Sequence, residues 1–182
     1  METLYIDKHQ ALVQECRLGS RKAQFELYKL YAKAMYNTAQ RILCHVAEAE
    51  DVLQEAFLEA FSRITDFRGD TTFGLWLKQI VINKSINYLR KRKMEFVSTD
   101  TIDVPEEEEE ENGELQPRVE EIKKAMELLP DGYRVVISLY LLEGYDHEEI
   151  AHILKISENT SRSQYMRAKI KLQRLMEKER SQ

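Results

Sequence analysis

The feature that most constrains how this chain can fold is a run of negative charge near its middle. Residues 99–121 contain eleven acidic residues and one basic residue, including six consecutive glutamates at Glu106–Glu111. Pro105 precedes the glutamate run and Pro117 follows it. Like charges at this density repel one another, and the segment has too few apolar side chains to offset the entropy lost on ordering. We therefore predict a flexible acidic linker at residues 94–117.

The segments on either side of the acidic run are mildly basic. Residues 1–98 carry a net charge of +3 and residues 122–182 a net charge of +2, so the acidic run accounts for the overall charge of −5. Apolar residues make up 43% of the chain, which is enough for each segment to build its own core. We predict two domains, residues 1–93 and 118–182, neither of which is too acidic to bind nucleic acid.

The N-terminal segment places apolar residues at steps of three and four, the spacing of one buried helical face. Ser20 is a suitable N-cap for a first helix that runs to about Leu43. A second helix is predicted at about 48–64 and a third at about 73–93. Trp76 of the third helix is predicted to be a core residue, with stacking on a base as the alternative. The residues of the first helix that are predicted to face inward are Phe25, Tyr28, Ala32, Met35, Ala39 and Ile42.

The C-terminal segment has the same helical periodicity. A helix that begins near Arg118 is stopped by Pro130, and a second helix, opened by Asp131, ends at Gly144. No stretch of the chain shows the strict alternation of apolar and polar residues that is typical of a half-buried strand. The predicted fold class is therefore all-α.

Residues 145–175 have the pattern of a short helix, a tight turn and a longer basic helix. Asp146 and Glu149 have the spacing of a capping box, and Ser157 is a suitable N-cap for the second helix. This arrangement is typical of a helix-turn-helix, whose second helix enters the major groove of DNA. The alternative is an ordinary helical hairpin with a solvated basic face.

Short hydrogen-bonding side chains and an arginine occupy the first turns of this second helix, where base edges are met. Arg162 can present a pair of donors to guanine, whereas Arg167 and Lys171 lie further along and are predicted to contact phosphates. Two residues fit the motif less well: Lys155 occupies a turn position that favours glycine, and Ser161 a position where such motifs usually bury valine or isoleucine. The candidate DNA-binding residues are Ser157, Glu158, Asn159, Thr160, Arg162, Ser163, Gln164, Arg167 and Lys171.

Catalytic, metal-binding and membrane functions find no support in the sequence. There is no glycine-rich phosphate loop, HExxH pair or GxSxG motif, so we predict that the protein is not an enzyme. Cys16 and Cys44 lie apart from each other and from any histidine cluster, which predicts no metal site and no cofactor. His147 and His152 are predicted to be surface residues. No apolar run could span a bilayer and residues 1–10 do not resemble a signal peptide, so we expect a cytoplasmic protein.

An acidic stripe follows the outer side of the second predicted helix. Asp51, Glu55 and Glu59 recur at every fourth residue and therefore share one helical face. Periodicity alone favours a solvated face, but the stripe is also a good docking surface for a basic partner helix.

Three stretches, in this order, resemble the extracytoplasmic-function (ECF) sigma factors of bacterial RNA polymerase. The polymerase-binding helix of that family is similar to AEDVLQEAFLEAF (Ala49–Phe61). The loop and helix that melt and read the minus-ten promoter element are similar to FRGDTTFGLWLKQIVINKSINYLRKRK (Phe67–Lys93). The domain that reads the minus-thirty-five element is similar to residues Leu128–Leu172. The resemblance implies that residues 1–93 form sigma domain two and residues 118–182 form sigma domain four, with its helix-turn-helix.

The resemblance also implies two further sets of site residues. The polymerase-binding residues would be Asp51, Gln54 and Glu55. The minus-ten residues would be Phe67, Arg68, Gly69, Asp70 and Thr71, in a loop that captures an unstacked base, together with Asn83, Lys84, Asn87 and Arg90 on the helix. The chain departs from the family at Ile82 and Gln164, which replace basic residues that are common there.

The partners that the resemblance implies are the bacterial RNA polymerase core, promoter DNA and an anti-sigma factor, with no membrane insertion. The function it implies is promoter-specific transcription initiation. Two other classes stay open. A stand-alone helix-turn-helix transcriptional regulator would bind a palindromic site as a dimer and would leave Phe67–Lys93 unexplained. A helical adaptor would use its basic helix to bind an acidic protein.

Overall fold

A computed structural model describes residues 8–92 and 119–180, and every regular element in these two ranges is helical. The predicted all-α fold class is therefore confirmed. The chain divides into two compact units, Met1–Lys93 and Met94–Gln182. The linker predicted at residues 94–117 lies outside the described residues.

The described part of the N-terminal unit contains four α-helices. Ser20 caps the second of them as predicted, since its hydroxyl oxygen accepts a hydrogen bond from the backbone N–H of Ala23 at 3.2 Å. The sequence patterns do not predict the first helix, whose eight residues are too few to show a clear periodic stripe. The helices are α1 (Gln10–Arg17), α2 (Arg21–Leu43), α3 (Val46–Ser62) and α4 (Phe73–Lys91), with a 3-10 turn at Ile64–Asp66 between α3 and α4.

Helices α2, α3 and α4 pack against one another around the core of this unit, but the inward face of α2 differs from the prediction in its first half. Phe25 and Tyr28, predicted to face inward, are exposed, Phe25 by 59%, whereas Leu27 is fully buried. Two residues along a helix correspond to a rotation of about 200°, so a face that buries Leu27 turns Phe25 outward. The prediction is correct in the second half of the helix, where Met35, Ala39 and Ile42 are buried.

The C-terminal unit is organised around its last helix, which packs against the other helices of the unit. Leu129, Ile137 and Ala168 form the buried centre of this unit. Partly buried apolar side chains surround them: Met126, Tyr133, Tyr165, Leu172 and Leu175. The helices are α5 (Val119–Glu127), α6 (Asp131–Ile137), which continues as a π-helical turn at Ser138–Leu142, α7 (His147–Leu154) and α8 (Glu158–Arg180).

Helices α7 and α8 form the predicted helix-turn-helix, with the predicted caps. The carboxylate of Asp146 accepts a hydrogen bond from the Glu149 backbone N–H, and the Glu149 carboxylate accepts one from the Asp146 backbone N–H, which completes the capping box. Ser157 Oγ accepts a hydrogen bond from the backbone N–H of Thr160 at 3.0 Å. Lys155 lies between the two helices in the left-handed region, with φ 56° and ψ 45°. The turn therefore has the backbone conformation that favours glycine but carries lysine.

We predict that Lys155→Gly stabilises the C-terminal unit by about 0.5–1 kcal/mol. A left-handed backbone costs a residue that has a Cβ about 1–2 kcal/mol, and the greater freedom of glycine in the unfolded chain offsets roughly half of that gain. Urea unfolding of the full chain, followed by the circular dichroism of its helices, measures the change.

The matched control is Lys124→Gly, in the exposed part of α5. Here the backbone is helical, so glycine should destabilise the unit by about 1 kcal/mol. Equal destabilisation by both substitutions would show that Lys155 does not strain the turn.

Candidate nucleic-acid interface

The first turns of α8 present the predicted set of short polar side chains to solvent. Glu158, Asn159 and Arg162 are exposed, and Thr160 and Ser163 are half-exposed. Ser157 and Lys171, at the start and in the middle of the helix, are also exposed. These seven residues therefore remain candidates for contact with a DNA groove and its phosphates.

Gln164 and Arg167 differ from the prediction, because both side chains are buried. Gln164 has no exposed surface and Arg167 has 9%. They lie on the inward face of α8 beside Ser161 and Ala168, which are also fully buried. Residues three, four and seven apart share one helical face. Gln164 and Arg167 therefore lie on the same side of α8 as Ser161 and Ala168, the side that packs against the other helices of the unit. Neither side chain reaches a groove in this arrangement, and both are removed from the candidate DNA-binding set.

Arg162 is held by a neighbour on its own helix. Its Nη2 donates a hydrogen bond to the carboxylate of Glu158, one turn earlier. Both side chains are well exposed, so water competes with the pair and its contribution to stability is small. The guanidinium therefore lies at the surface where base contact is predicted.

The loop before α4 is anchored at its first residue. Phe67 is buried and packs on Phe73 and Trp76, with ring centroids 6.0 and 5.3 Å away. The guanidinium of Arg17 donates hydrogen bonds to the backbone carbonyls of Phe67 and, at 3.5 Å, of Ile64. The prediction that Phe67 contacts an unstacked base is therefore wrong in this arrangement, because its ring fills the core below the loop. The loop residues exposed to solvent are Arg68, Gly69, Asp70 and Thr71.

A polar cleft of about 270 Å³ lies between α3 and α4. Trp76 lines it and is only half-buried, so its ring is shared between the core and the cleft. The predicted residues Asn83 and Asn87 are exposed along the same cleft, one helical turn apart. Gln79 extends this row of carboxamides by one turn toward Trp76, although the sequence patterns did not single it out. The other residues that line the cleft are Glu59, Arg63, Ile80 and Lys84.

Carboxamide groups can donate and accept hydrogen bonds at once, which suits them to the edge of a nucleobase. A half-exposed indole ring offers a base a surface to stack on. Ile82, which replaces a basic residue common in the family that the chain resembles, is buried in the core and has almost no exposed surface. At the end of α4, Arg90 is exposed, and its Nη1 donates a hydrogen bond to Asn87 Oδ1 at 3.4 Å.

Lys84 joins α4 to α3 through carboxylates. Its Nζ lies 2.8 Å from an oxygen of Glu59 and 3.8 Å from an oxygen of Glu55. Glu59 also bonds the guanidinium of Arg63 at 2.9 Å. The hydrogen bond from Lys84, followed by that from Arg63, holds the pKa of Glu59 below its ordinary value, although burial acts in the opposite direction. Glu59 is therefore a partly exposed group that bridges α3 and α4, in contrast to the more exposed acidic residues of α3.

The remaining acidic surface of α3 is open to solvent. Asp51, Gln54 and Glu55 are all exposed, as predicted for a docking face. Leu58, one turn after Gln54, is 71% exposed and adds an apolar side chain to this polar surface. The sequence analysis did not single out Leu58, because apolar residues are expected on the inward stripe of α3 and Leu58 lies outside that stripe. An acidic face with one exposed leucine suits a basic partner that also presents an apolar group.

Within residues 8–92 and 119–180, no group of histidine, cysteine, aspartate and glutamate side chains could hold a metal ion. None of the helices in these ranges is both long enough and apolar enough to cross a membrane.

Two family models match the chain, one on each unit. Sigma-70 region 2 matches residues 27–95, which contain the acidic face, the loop and the cleft. Sigma-70 region 4 matches residues 119–172, which contain the helix-turn-helix. Region 2 therefore covers the unit with the acidic face and the cleft, and region 4 covers the unit with the helix-turn-helix.

Two solved structures are similar to this chain over most of its length. The solved sigma factor RpoE of Bartonella quintana, in complex with the anti-sigma factor NepR, has a TM-score of 0.57 at 24% identity and covers 84% of this chain and 95% of its own. CnrH, in complex with the cytosolic domain of CnrY, has a TM-score of 0.56 at 21% identity, covering 94% and 98%. These two structures show that the chain has the fold that both of them share.

The curated relatives are closer in sequence. The RNA polymerase sigma-H factor of Pseudomonas aeruginosa is 29% identical, covering 90% of this chain and 91% of its own. The ECF RNA polymerase sigma-E factor of Escherichia coli K12 is 33% identical over 175 residues, covering 88% of this chain and 90% of its own. On this identity and coverage, the chain belongs to the ECF family of RNA polymerase sigma factors.

Proposed function

We propose that this protein binds the bacterial RNA polymerase core in the cytoplasm and directs promoter-specific transcription initiation, by binding rather than by catalysis. The observation that carries the proposal is that one unit bears both an exposed acidic face on α3 and a cleft lined by Trp76, Asn83 and Asn87 on α4. The first surface suits a basic protein partner, and the second suits an unpaired nucleic-acid strand. A stand-alone helix-turn-helix regulator would need neither of them.

Promoter opening gives these surfaces a physical role. Separating the strands costs about 1.4 kcal/mol of stacking per base-pair step. A surface that binds only the unstacked strand offsets this cost, and we assign that role to the exposed loop and to the carboxamide row on α4. The residues proposed to hold the strand are Arg68, Gly69, Asp70, Thr71, Trp76, Gln79, Asn83, Lys84, Asn87 and Arg90.

The C-terminal unit supplies the second promoter contact. Its α8 would read the minus-thirty-five element in duplex form, through the seven exposed residues retained above. Two weak contacts on one chain raise the joint affinity, because the second binding event becomes intramolecular. Since one relative was solved with an anti-sigma factor, we propose an anti-sigma factor as a third partner.

The polymerase contact is tested by reversing charge on α3. Asp51→Arg with Glu55→Arg should leave the helical fold intact, because both side chains are exposed and the ion pair that is lost, between Glu55 and Lys84 at 3.8 Å, is long and open to solvent. Like charges placed across an interface cost several kcal/mol, so affinity for the core polymerase should fall at least about 30-fold. Co-purification with the sigma-free core polymerase measures the loss, and circular dichroism checks the fold.

The control reverses two exposed or half-exposed acids on other helices of the same unit, Glu15→Arg with Glu26→Arg. This pair changes the net charge equally but should leave co-purification unchanged. Wild-type retention of the Asp51 and Glu55 variant would reduce the acidic face to a solvated surface.

The promoter contact of α8 is tested first at Arg162. Arg162→Ala should cost about 1–3 kcal/mol and relax the preference at one base position of the upstream element, because a bidentate contact to guanine is lost. Transcription of a randomised promoter library by the reconstituted holoenzyme measures this preference. Equal weakening of every promoter would mean that Arg162 contacts only the backbone.

Lys171 is predicted to behave differently. Lys171→Ala should weaken all promoters alike and lower the salt dependence of binding by about one unit, as the loss of one phosphate contact does. Binding at several salt concentrations measures the slope. Lys178→Ala, an exposed lysine near the end of α8, is the matched control and should leave the slope unchanged. A change in base preference on Lys171→Ala would show that the proposed position of α8 in the groove is wrong.

A further inference from the structure

His147 lies inside an aromatic cluster of the C-terminal unit, although the sequence predicts a surface residue. Its ring stacks on Tyr140, with centroids 4.6 Å apart and an interplanar angle of 18°. Tyr165 of α8 covers another side, with its centroid 5.6 Å from that of His147. The side chain is half-buried as a result, whereas His152, on the same helix, is exposed as predicted.

The His147 ring also makes a polar contact with α8. Its Nδ1 lies 2.9 Å from Oγ of Ser161, and Ser161 is fully buried. His147 is the first residue of α7, and Ser161 lies in the first turn of α8, so one hydrogen bond joins the start of the first helix to the start of the second. A buried hydroxyl without such a partner would cost free energy, which makes this bond sensitive to the relative position of the two helices.

Ser161 stands between two residues of the proposed DNA-binding surface, Thr160 and Arg162. Side chains that follow one another on a helix point about 100° apart, so the orientation of Ser161 fixes the directions of both neighbours. We propose that the neutral imidazole of His147 is a positioning residue for promoter reading, and that it orients the recognition helix α8 by accepting, at its unprotonated Nδ1, a hydrogen bond from the hydroxyl of Ser161. This inference rests on the proposed function of α8.

The surroundings of His147 favour the neutral ring. Burial lowers the pKa of His147, and the positive charge of Arg162 lowers it further. Glu158 on α8 and the cap residue Asp146 oppose this effect. Tyr140 and Tyr165 face the ring from the π-helical turn and from α8. Burial raises the pKa of Tyr165, so its hydroxyl stays protonated near neutral pH.

The lowered pKa of His147 predicts how the effect of this residue changes with pH. Protonation of His147 costs more in the folded unit than in the unfolded chain, where the ordinary pKa is about 6.5. The stabilising effect of the neutral ring is therefore complete above about pH 6.5 and is lost as the pH falls through the lowered pKa of the folded unit. Discrimination between upstream promoter sequences should fall with it.

The experiment uses the full chain bound to the sigma-free core polymerase and a promoter library randomised at both the upstream and the downstream element. Discrimination is the enrichment of the preferred base over the others at each position, measured at about pH 7.5 and about pH 5, well below the ordinary pKa of histidine. For the wild-type protein, upstream discrimination should fall about 2- to 10-fold at the lower pH, the range that one hydrogen bond contributes. Downstream discrimination, which the N-terminal unit provides, serves as the internal reference.

Three variants separate the hydrogen bond from simple packing. His147→Phe keeps the ring stack but can neither titrate nor bond to Ser161, so its upstream discrimination should be low at both pH values. Ser161→Ala should give the same loss, and the double variant should lose no more than either single one. His147→Asn places a polar atom near the position of Nδ1 without a titrating group. It should therefore restore discrimination at pH 7.5 and remove its dependence on pH.

The matched control is His152→Phe, an exposed histidine of the same helix, which should behave as the wild type does at both pH values. Wild-type discrimination in both His147→Phe and Ser161→Ala would overturn the inference and leave the proposed function standing. The absence of promoter-dependent transcripts with the wild-type protein would instead overturn the proposed function itself.

Discussion

The ion pair between Lys84 and Glu59 joins α4 to α3 and sets one carboxylate of the α3 stripe apart from the others. Its 2.8 Å contact leaves the side chain of Glu59 32% exposed, at the side of the cleft, against 60% for that of Glu55. Asp51 and Glu55 are left to form the exposed face. Because the pKa of Glu59 is lowered, the charged pair stabilises the fold above the ordinary pKa of a carboxyl group, and this effect is lost as the pH falls through the lowered value. Near neutral pH, the division between inner and outer carboxylates is therefore maintained.

The same division between inner and outer polar groups governs the C-terminal unit. Helix α8 has polar residues all around it, yet Ser161, Gln164 and Arg167 lie inside and Arg162 and Lys171 outside. A buried polar side chain is tolerated only where hydrogen bonds replace water, as the His147 contact does for Ser161. The rotation of α8, whose apolar residues Ala168, Leu172 and Leu175 pack in or against the core, thus determines which of its polar residues are offered to DNA.

The sequence predicted those features that depend on neighbours along the chain. Ser20, the Asp146–Glu149 box and Ser157 cap helices as predicted, because a cap needs only residues within three positions of it. The left-handed turn at Lys155 follows from the same local pattern. Side-chain burial depends on the packing of other helices. Predictions of burial from hydrophobicity were therefore wrong both for an apolar residue and for polar ones. The aromatic Phe25 faces outward, and Gln164 and Arg167, which the polar pattern placed at the surface, face inward.

Two arginines of the C-terminal unit show why burial, and not residue type, decides availability for DNA. Arg134 is 4% exposed and donates hydrogen bonds to the Asp131 carboxylate and, at 2.9 Å, to the carbonyl of Leu129. Removing it from these partners would leave the carbonyl of the buried residue Leu129 without its donor, at a cost of about 1–3 kcal/mol. The exposed pair of Arg162 with Glu158 contributes at most about 1 kcal/mol, whereas a bidentate contact with guanine is worth about 1–3 kcal/mol. If Arg162 contacts guanine as proposed, the exchange of its Glu158 partner for the base is therefore favourable, while Arg134 stays part of the fold.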